Sequence, residues 1–146
     1  MMVICIINGP NLNLTGRREP QIYGTMSFDE FIPMLQKRHA DVEIRYMQSN
    51  HEGQLIDWIQ EADTYADGVV LNAGGYTHTG IALADAVAAT SVPVVEVHIS
   101  DIMNREPFRR HSFLTAVCCH TIIGHGLEGY SEAVDFLKKM VKVKNN

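Results

Sequence analysis

Residues 3–23, VICIINGPNLNLTGRREPQIY, decide how the rest of the chain is read. The five apolar residues Val3 to Ile7 form a short run of the length and β-branched character of a buried strand. The segment from Asn8 to Tyr23 then carries three asparagines, two adjacent arginines, two glycines, two prolines and a closing tyrosine. A strand-to-helix loop is usually ~2–6 residues, and one of about fifteen is either a functional lid or a disordered linker. A linker does not follow a core strand and end at a helix cap, so the functional reading is favoured. A strand with a chemically rich loop at its carboxyl end is the first half of an α/β unit.

Working outward, short apolar runs alternate with longer amphipathic segments. Residues 2–8 read as the first strand. Ser27-Phe28-Asp29-Glu30 is a capping box in which the Ser27 hydroxyl and the Glu30 carboxylate can each satisfy an orphan amide. A helix from there to about His39 is expected to bend at Pro33. Val42, Ile44 and Tyr46 alternate as a second strand, and Leu55, Ile56, Ile59 and Ala62 share a helical face over Glu52 to Tyr65, with Trp58 nearby. Gly68 to Asn72 is a third strand, Thr79 to Thr90 an alanine-rich helix, and Pro93 to His98 a fourth strand. A short helix near Glu106 to His111, a last strand Thr121 to Gly124 and a closing helix Ser131 to Val143 complete the pattern. Five β/α units with near-continuous apolar strands imply a parallel sheet covered on both faces. The expected fold is α/β and flavodoxin-like, with strand order 2-1-3-4-5.

The chain has 146 residues, 46% apolar and 20% charged, with a formal net charge of −5, which suits one soluble domain spanning 1–146. That charge argues against a nucleic-acid or anionic-membrane binder. It does not exclude a small anion, because five of the seven arginines (Arg17, Arg18, Arg105, Arg109, Arg110) fall in two short segments. Three cysteines without CxxC spacing give no disulfide or metal framework, and Cys5, Cys118 and Cys119 are expected to be small buried thiols. No leader pattern and no run of ~18 apolar residues is present, so a cytoplasmic setting is expected.

In open α/β sheets a ligand sits outside the carboxyl ends of the strands, near the switch in strand order. Three polar clusters fall there. In NAGGYTHTG (72–80), Asn72 offers amide donors and an acceptor, and the glycines allow close backbone approach. His78 lies at the mouth of the next helix; taken alone it reads first as a local cap or surface histidine, and the neighbouring clusters turn the reading to a ligand contact. In VPVVEVHISD (92–101), Glu96 and His98 share one face of a strand, and a carboxylate beside an imidazole fixes its tautomer and suits a general acid. A buried structural pair is the other reading, and a metal site with His78 matches no standard zinc spacing. The Ile99 and Ser100 amides with the Ser100 hydroxyl form a small-anion nest. In REPFRRHS (105–112), adjacent helical residues point about 100° apart, so one of Arg109 and Arg110 reaches a ligand. The other, with Arg105, is left to solvent or to Glu106. Tyr23 is either an aromatic anchor for its loop or, with the Arg18 guanidinium favouring its phenolate, a base.

At this point the chain resembles one family, the type II 3-dehydroquinate dehydratases. The resemblance runs through NGPNLNLTGRREPQIYG, SNHEGQLIDWI, LNAGGYTHTGIALADA, VVEVHIS and REPFRRHS to Gly129-Tyr130. It implies anti elimination of water from 3-dehydroquinate to 3-dehydroshikimate through an enolate, with no cofactor and no metal. By resemblance, Tyr23 is the proton-abstracting tyrosine, Arg18 the lid arginine and His98 the acid oriented by Glu96. Asn11 holds a water at the enolate oxygen. Asn72, Ile99 and Ser100 grip the substrate carboxylate, and His78 and Arg109 bind ring hydroxyls. Asp85 matches an aspartate reaching into a neighbouring subunit's site, and the family's usual assembly is a homododecamer, a tetramer of trimers.

The reaction would serve either aromatic biosynthesis through the shikimate and chorismate route or quinate breakdown. The other class of dehydroquinate dehydratase uses a Schiff-base lysine, and none of the five lysines here falls in the three clusters. Asp101, His125 and Pro33 depart from the family's commoner residues and are expected to alter packing or affinity. Two other readings of the fold are a flavodoxin-like small-anion or nucleotide-binding module without catalysis and a receiver-type domain. The second needs acidic residues where Asn8 and Asn72 stand.

Overall fold

The computed structural model describes residues 1–17 and 19–145. Strands β1 (Met2–Asn8), β2 (Val42–Gln48), β3 (Gly68–Asn72), β4 (Val94–His98) and β5 (His120–Ile123) pair in parallel in the order β2-β1-β3-β4-β5. This is the expected flavodoxin-like α/β order. Because β2 lies on one side of β1 and β3 on the other, the loops leaving β1 and β3 part at the carboxyl edge and open a crevice there.

The helices are α1 (Pro20–Tyr23), α2 (Phe28–Arg38), α3 (Glu52–Tyr65), α4 (Ile81–Ala89) and α5 (Glu128–Asn145). Successive strand residues point to opposite faces, which divides the core in two. Ile4 and Ile6 of β1 pack with Phe31 and Leu35 of α2 and Leu137 of α5. Cys5 and Ile7 pack on the other face with Leu55 and Ile59 of α3 and Leu83 of α4. Both faces of β1 and β3 are therefore apolar, whereas Glu43 and Arg45 of the edge strand β2 are exposed. Each buried apolar side chain contributes ~1.5–3 kcal/mol by leaving water.

Several element ends differ from the sequence expectation. The Ser27 hydroxyl accepts from the Glu30 amide at 3.3 Å, but the Glu30 carboxylate takes the Ser27 hydroxyl proton (3.3 Å) and not an amide. Pro33 is exposed and the helix runs through it to Arg38; solvent can satisfy the Asp29 carbonyl that Pro33 cannot. The segment before α4 is a 3₁₀ turn, Gly74–His78, entered through Gly74 at φ +58. Only Pro107–Arg109 is helical, as 3₁₀, between Glu106 and His111. The first loop itself contains the turns Leu12–Leu14 and Pro20–Tyr23. Cys5 is buried as expected, whereas Cys118 is half-buried and Cys119 exposed, because they lead into β5 at the edge of the sheet. Among the described residues no helix is long and apolar enough to cross a membrane.

Candidate active site

A cavity of about 190 Å³ opens at the carboxyl edge of the sheet. Asn11 and Tyr23 reach it from the loop after β1, Asn72 and His78 from β3 and its turn, and His98, Ile99, Ser100, Arg105 and Arg109 from β4 onward. At the strand ends, before the two loops part, the Gly9 amide donates to the Asn72 carbonyl at 2.7 Å. A Cβ on Gly9 would overlap the Ala73 backbone, so only glycine permits this approach.

His98 and Glu96 lie on one face of β4, with His98 Nε2 2.6 Å from a Glu96 oxygen. Glu96 has no exposed surface. The same carboxylate accepts from the hydroxyls of Ser112 (2.6 Å), Thr115 (2.7 Å) and Thr121 (2.9 Å). Thr121 stands opposite Glu96 in the β4–β5 register, and Ser112 is held by accepting the Leu114 and Thr115 amides. Burial pushes the Glu96 carboxyl up, but the bond and charge of His98 and the hydroxyl bonds outweigh it and bring it to about 2. An ionised carboxylate only accepts, so Nε2 carries a proton and Nδ1 is the nitrogen left for the cavity. With its oxygens taken up by these donors, Glu96 orients His98 and does not itself line the cavity.

Tyr23 is placed by α1, which begins at Pro20 and closes at Gly24. Its hydroxyl oxygen accepts from Arg105 Nη1 at 2.7 Å. Arg105 is mostly buried and lies 3.9 Å from both Glu19 and Glu106. This corrects the expectation that Arg105 is left to solvent or to Glu106 alone. Arg18 lies outside the described residues.

The remaining polar groups are presented with fixed polarity. His78 Nδ1 donates to the His111 carbonyl at 2.7 Å, leaving Nε2 as an acceptor. Burial lowers the His78 pKa; the His111 bond opposes this and the His98 and Arg109 charges reinforce it, so the ring stays neutral. Arg109 Nε is anchored on Glu106 at 2.9 Å, while Arg110 is exposed and does not line the cavity, so one of the adjacent arginines reaches the site. Asn11 sits in the left-handed region at φ +69, its amide donating to Asn50 Oδ1 at 3.0 Å. Gln48 Nε2 bonds the same Asn50 oxygen (3.2 Å) and the Gly9 carbonyl (3.1 Å). Asn72 Oδ1 accepts from the Gly74 amide at 3.1 Å.

Two assignments fall elsewhere. Asp85 lies on the exposed face of α4 and does not line this chain's cavity. Asp101 accepts from the Met103 amide (3.1 Å) and Asn104 Nδ2 (2.9 Å), so its charge is spent capping a turn outside the cavity. Arg105 and the hydroxyls of Ser112, Thr115 and Thr121 were missed by spacing alone. The one available signal was that Arg105 and Ser112 sit in the same motif as Arg109.

An open α/β sheet whose carboxyl edge holds a tyrosine–arginine pair and a glutamate-bound histidine around one small polar cavity is the arrangement of a small-molecule enzyme. The family described as dehydroquinase class II matches residues 2–138. The 3-dehydroquinate dehydratase of Exiguobacterium sp. is 53% identical over 137 residues, 93% of this chain and 94% of that one. That of Mycobacterium tuberculosis is 44% identical over 142 residues, 96% and 97% of the two chains. The crystal structure of type II dehydroquinase from Butyrivibrio crossotus superposes with a TM-score of 0.91 at 45% identity, covering 94% of this chain and 97% of that one. A 3-dehydroquinate dehydratase-like protein from Bifidobacterium longum is more distant, with a TM-score of 0.68 at 27% identity over 97% and 99% of the chains. This chain belongs to the class II dehydroquinase family.

Proposed function

We propose that the chain dehydrates 3-dehydroquinate to 3-dehydroshikimate by anti elimination through an enolate, with Tyr23 as base and His98 as acid. The observation that carries this reading is that the Tyr23–Arg105 and His98–Glu96 pairs open onto one cavity from different segments. The Tyr23 phenolate takes the proton from the carbon beside the ketone, and Arg105 steadies charge on the phenolic oxygen. By resemblance Arg18 does the same from the lid. The electron pair of the broken C–H bond moves into the enolate, whose oxygen is held through a water by Asn11.

His98 then gives a proton to the hydroxyl on the next carbon. That group leaves as water while the enolate collapses to the conjugated enone. Glu96 holds the ring so that Nδ1 delivers the proton and balances positive charge on it. Each positioned acid or base is worth roughly 10²–10⁴ in rate. Asn72, Ile99 and Ser100 bind the carboxylate, and neutral His78 accepts from a ring hydroxyl while Arg109 donates to another. Asp85, exposed on α4, completes the site of a neighbouring subunit in a homododecamer built as a tetramer of trimers.

The test is to add 3-dehydroquinate to purified protein with a chelator present and follow the ultraviolet absorbance of the enone, with Tyr23→Phe beside it. Rapid growth in the wild type that is lost in the variant is the expected result. No signal from folded wild type would mean that the cavity binds a related cyclic acid without dehydrating it. Activity surviving in Tyr23→Phe would leave the reaction standing and overturn the choice of base.

A further inference from the structure

The carboxamide of Asn72 is held from two sides. Its Oδ1 accepts from the Gly74 amide at 3.1 Å, and its Nδ2 donates to the Tyr130 hydroxyl at 2.9 Å. That hydroxyl donates to Asn8 Oδ1 at 2.7 Å, and Asn8 Nδ2 donates to the Tyr46 hydroxyl at 3.3 Å. The direction of every bond follows from donor and acceptor chemistry. A backbone N–H can only donate, so Asn72 Oδ1 faces Gly74 and its nitrogen faces Tyr130. The Tyr130 oxygen must then accept, which sends its single proton to Asn8.

Tyr130 and Asn8 have no exposed surface. The Tyr130 ring is clamped edge-on by Phe28 (centroids 5.3 Å apart) and Phe31 (6.1 Å). Burial drives its phenol far above the usual tyrosine range, with the Asn72 and Asn8 bonds opposing only in part, so it stays neutral and keeps its proton. An unpartnered amide in such surroundings would carry the full cost of its desolvation, so the chain is held as a unit.

We propose that Tyr130 is a positioning residue for substrate binding: it locks the Asn72 amide so that the remaining Nδ2 hydrogen is what Asn72 presents to the cavity. Asn72 thereby turns a donor toward the cavity, which favours an acceptor such as a carboxylate over a donor placed there. This rests on the reading of the cavity given under Proposed function. The carboxylate it holds sits on the carbon that loses the hydroxyl but keeps its charge throughout, so the contact is felt nearly equally in the ground and transition states and shows in KM rather than kcat.

The experiment measures kcat and KM on 3-dehydroquinate for wild type, Tyr130→Phe, Asn72→Ala and the double variant. Tyr130→Phe keeps the ring and its packing and removes only the hydroxyl. The expected result is a roughly tenfold rise in KM with kcat within about twofold, the size of one fixed hydrogen bond. In the Asn72→Ala background the same change adds nothing further, because the hydroxyl acts through Asn72. A hydroxyl that merely stabilises the fold gives losses that multiply in the double variant, and that result overturns the proposal. Should Tyr130→Phe not fold, Asn8→Ala removes the acceptor of the Tyr130 proton and is read by the same cycle. An inactive wild type overturns the activity reading and this one together. An active wild type with multiplying losses overturns this one alone.

Discussion

Arg105 Nη1 donates to the Tyr23 hydroxyl oxygen at 2.7 Å, joining residues 82 positions apart in the chain. The Arg105 guanidinium carbon also lies 5.4 Å from the centre of the Tyr23 ring. The contact ties the loop after β1 to the segment after β4, so the base and the acid of the proposed elimination are held by one frame. Arg105→Gln removes the positive charge and is expected to lower kcat by roughly ten- to a hundredfold with a smaller change in KM. Arg105→Lys recovers only part, because a lysine is a point charge on a flexible stem and lacks the planar fork. Steady-state kinetics decide the matter, and an unchanged kcat in Arg105→Gln would remove Arg105 from the chemistry.

Glu96 holds its charge against complete burial because donors surround it. Its carboxyl is brought from an ordinary 4.5 to about 2, so in wild type its protonation does not limit activity above about pH 3. Thr115→Val with Thr121→Val takes away two hydroxyl donors and leaves burial, which acts in the opposite direction. The acid limb of the kcat/KM profile is expected to move to higher pH in the double variant, while the rate near pH 8 falls less. A pH profile superimposable on that of wild type would show that the hydroxyls do not support the His98–Glu96 pair.

The central strands were legible because they fill both faces of a covered sheet, as Val69, Val70 and Leu71 do, whereas β2 was legible through the alternation that buries Val42 and Ile44 and exposes Glu43 and Arg45. Glu96 and His98 were legible because two-residue spacing on a strand sets a common face before any loop is known. Arg105 was not, since its partner Tyr23 comes from another loop and nothing in REPFRRHS says which arginine folds inward. The hydroxyls of Thr115 and Thr121 were hidden for a similar reason. One lies in an irregular loop, and the other faces Glu96 only through the β4–β5 register. Tyr130 was visible only as part of a motif, because its link to Asn72 and Asn8 depends on how α5 lies over the sheet.

His39 gives the fold a pH dependence separate from catalysis. It closes α2, its Nε2 is 2.8 Å from the Ser131 hydroxyl, and its Nδ1 is 3.7 Å from Asp135. Burial lowers its pKa first and the Lys138 charge adds to that, with Asp135 and Asp41 opposing. With the folded value below the unfolded 6.5, the unfolded chain binds more protons in the interval between them. Stability is therefore full above about pH 7 and is lost as pH falls through 6.5 toward the folded value. Neutral His78 acts in the same window. The melting temperature is expected to drop as pH falls from about 7 to about 5, and His39→Gln to flatten that drop. A variant as pH-sensitive as wild type in thermal melts would show that His39 is not the group responsible.

Asp85 is exposed on α4 and absent from the cavity of its own chain, so in the proposed assembly its role in the reaction is exercised on another copy. Asp85→Asn and Tyr23→Phe subunits are each expected to be nearly inactive alone. When dissociated together and reassembled, they place an intact Tyr23 on one subunit beside an intact Asp85 on its neighbour at a fraction of the sites. Activity should then return, up to roughly a quarter of wild type for random mixing at equal amounts, since about half the subunits carry Tyr23 and about half of their neighbours carry Asp85. Were Asp85 to act within its own chain, no mixed site would hold both residues and the reassembled protein would stay inactive. Recovery of activity on mixing therefore separates a shared site from a self-contained one without any structure of the assembly.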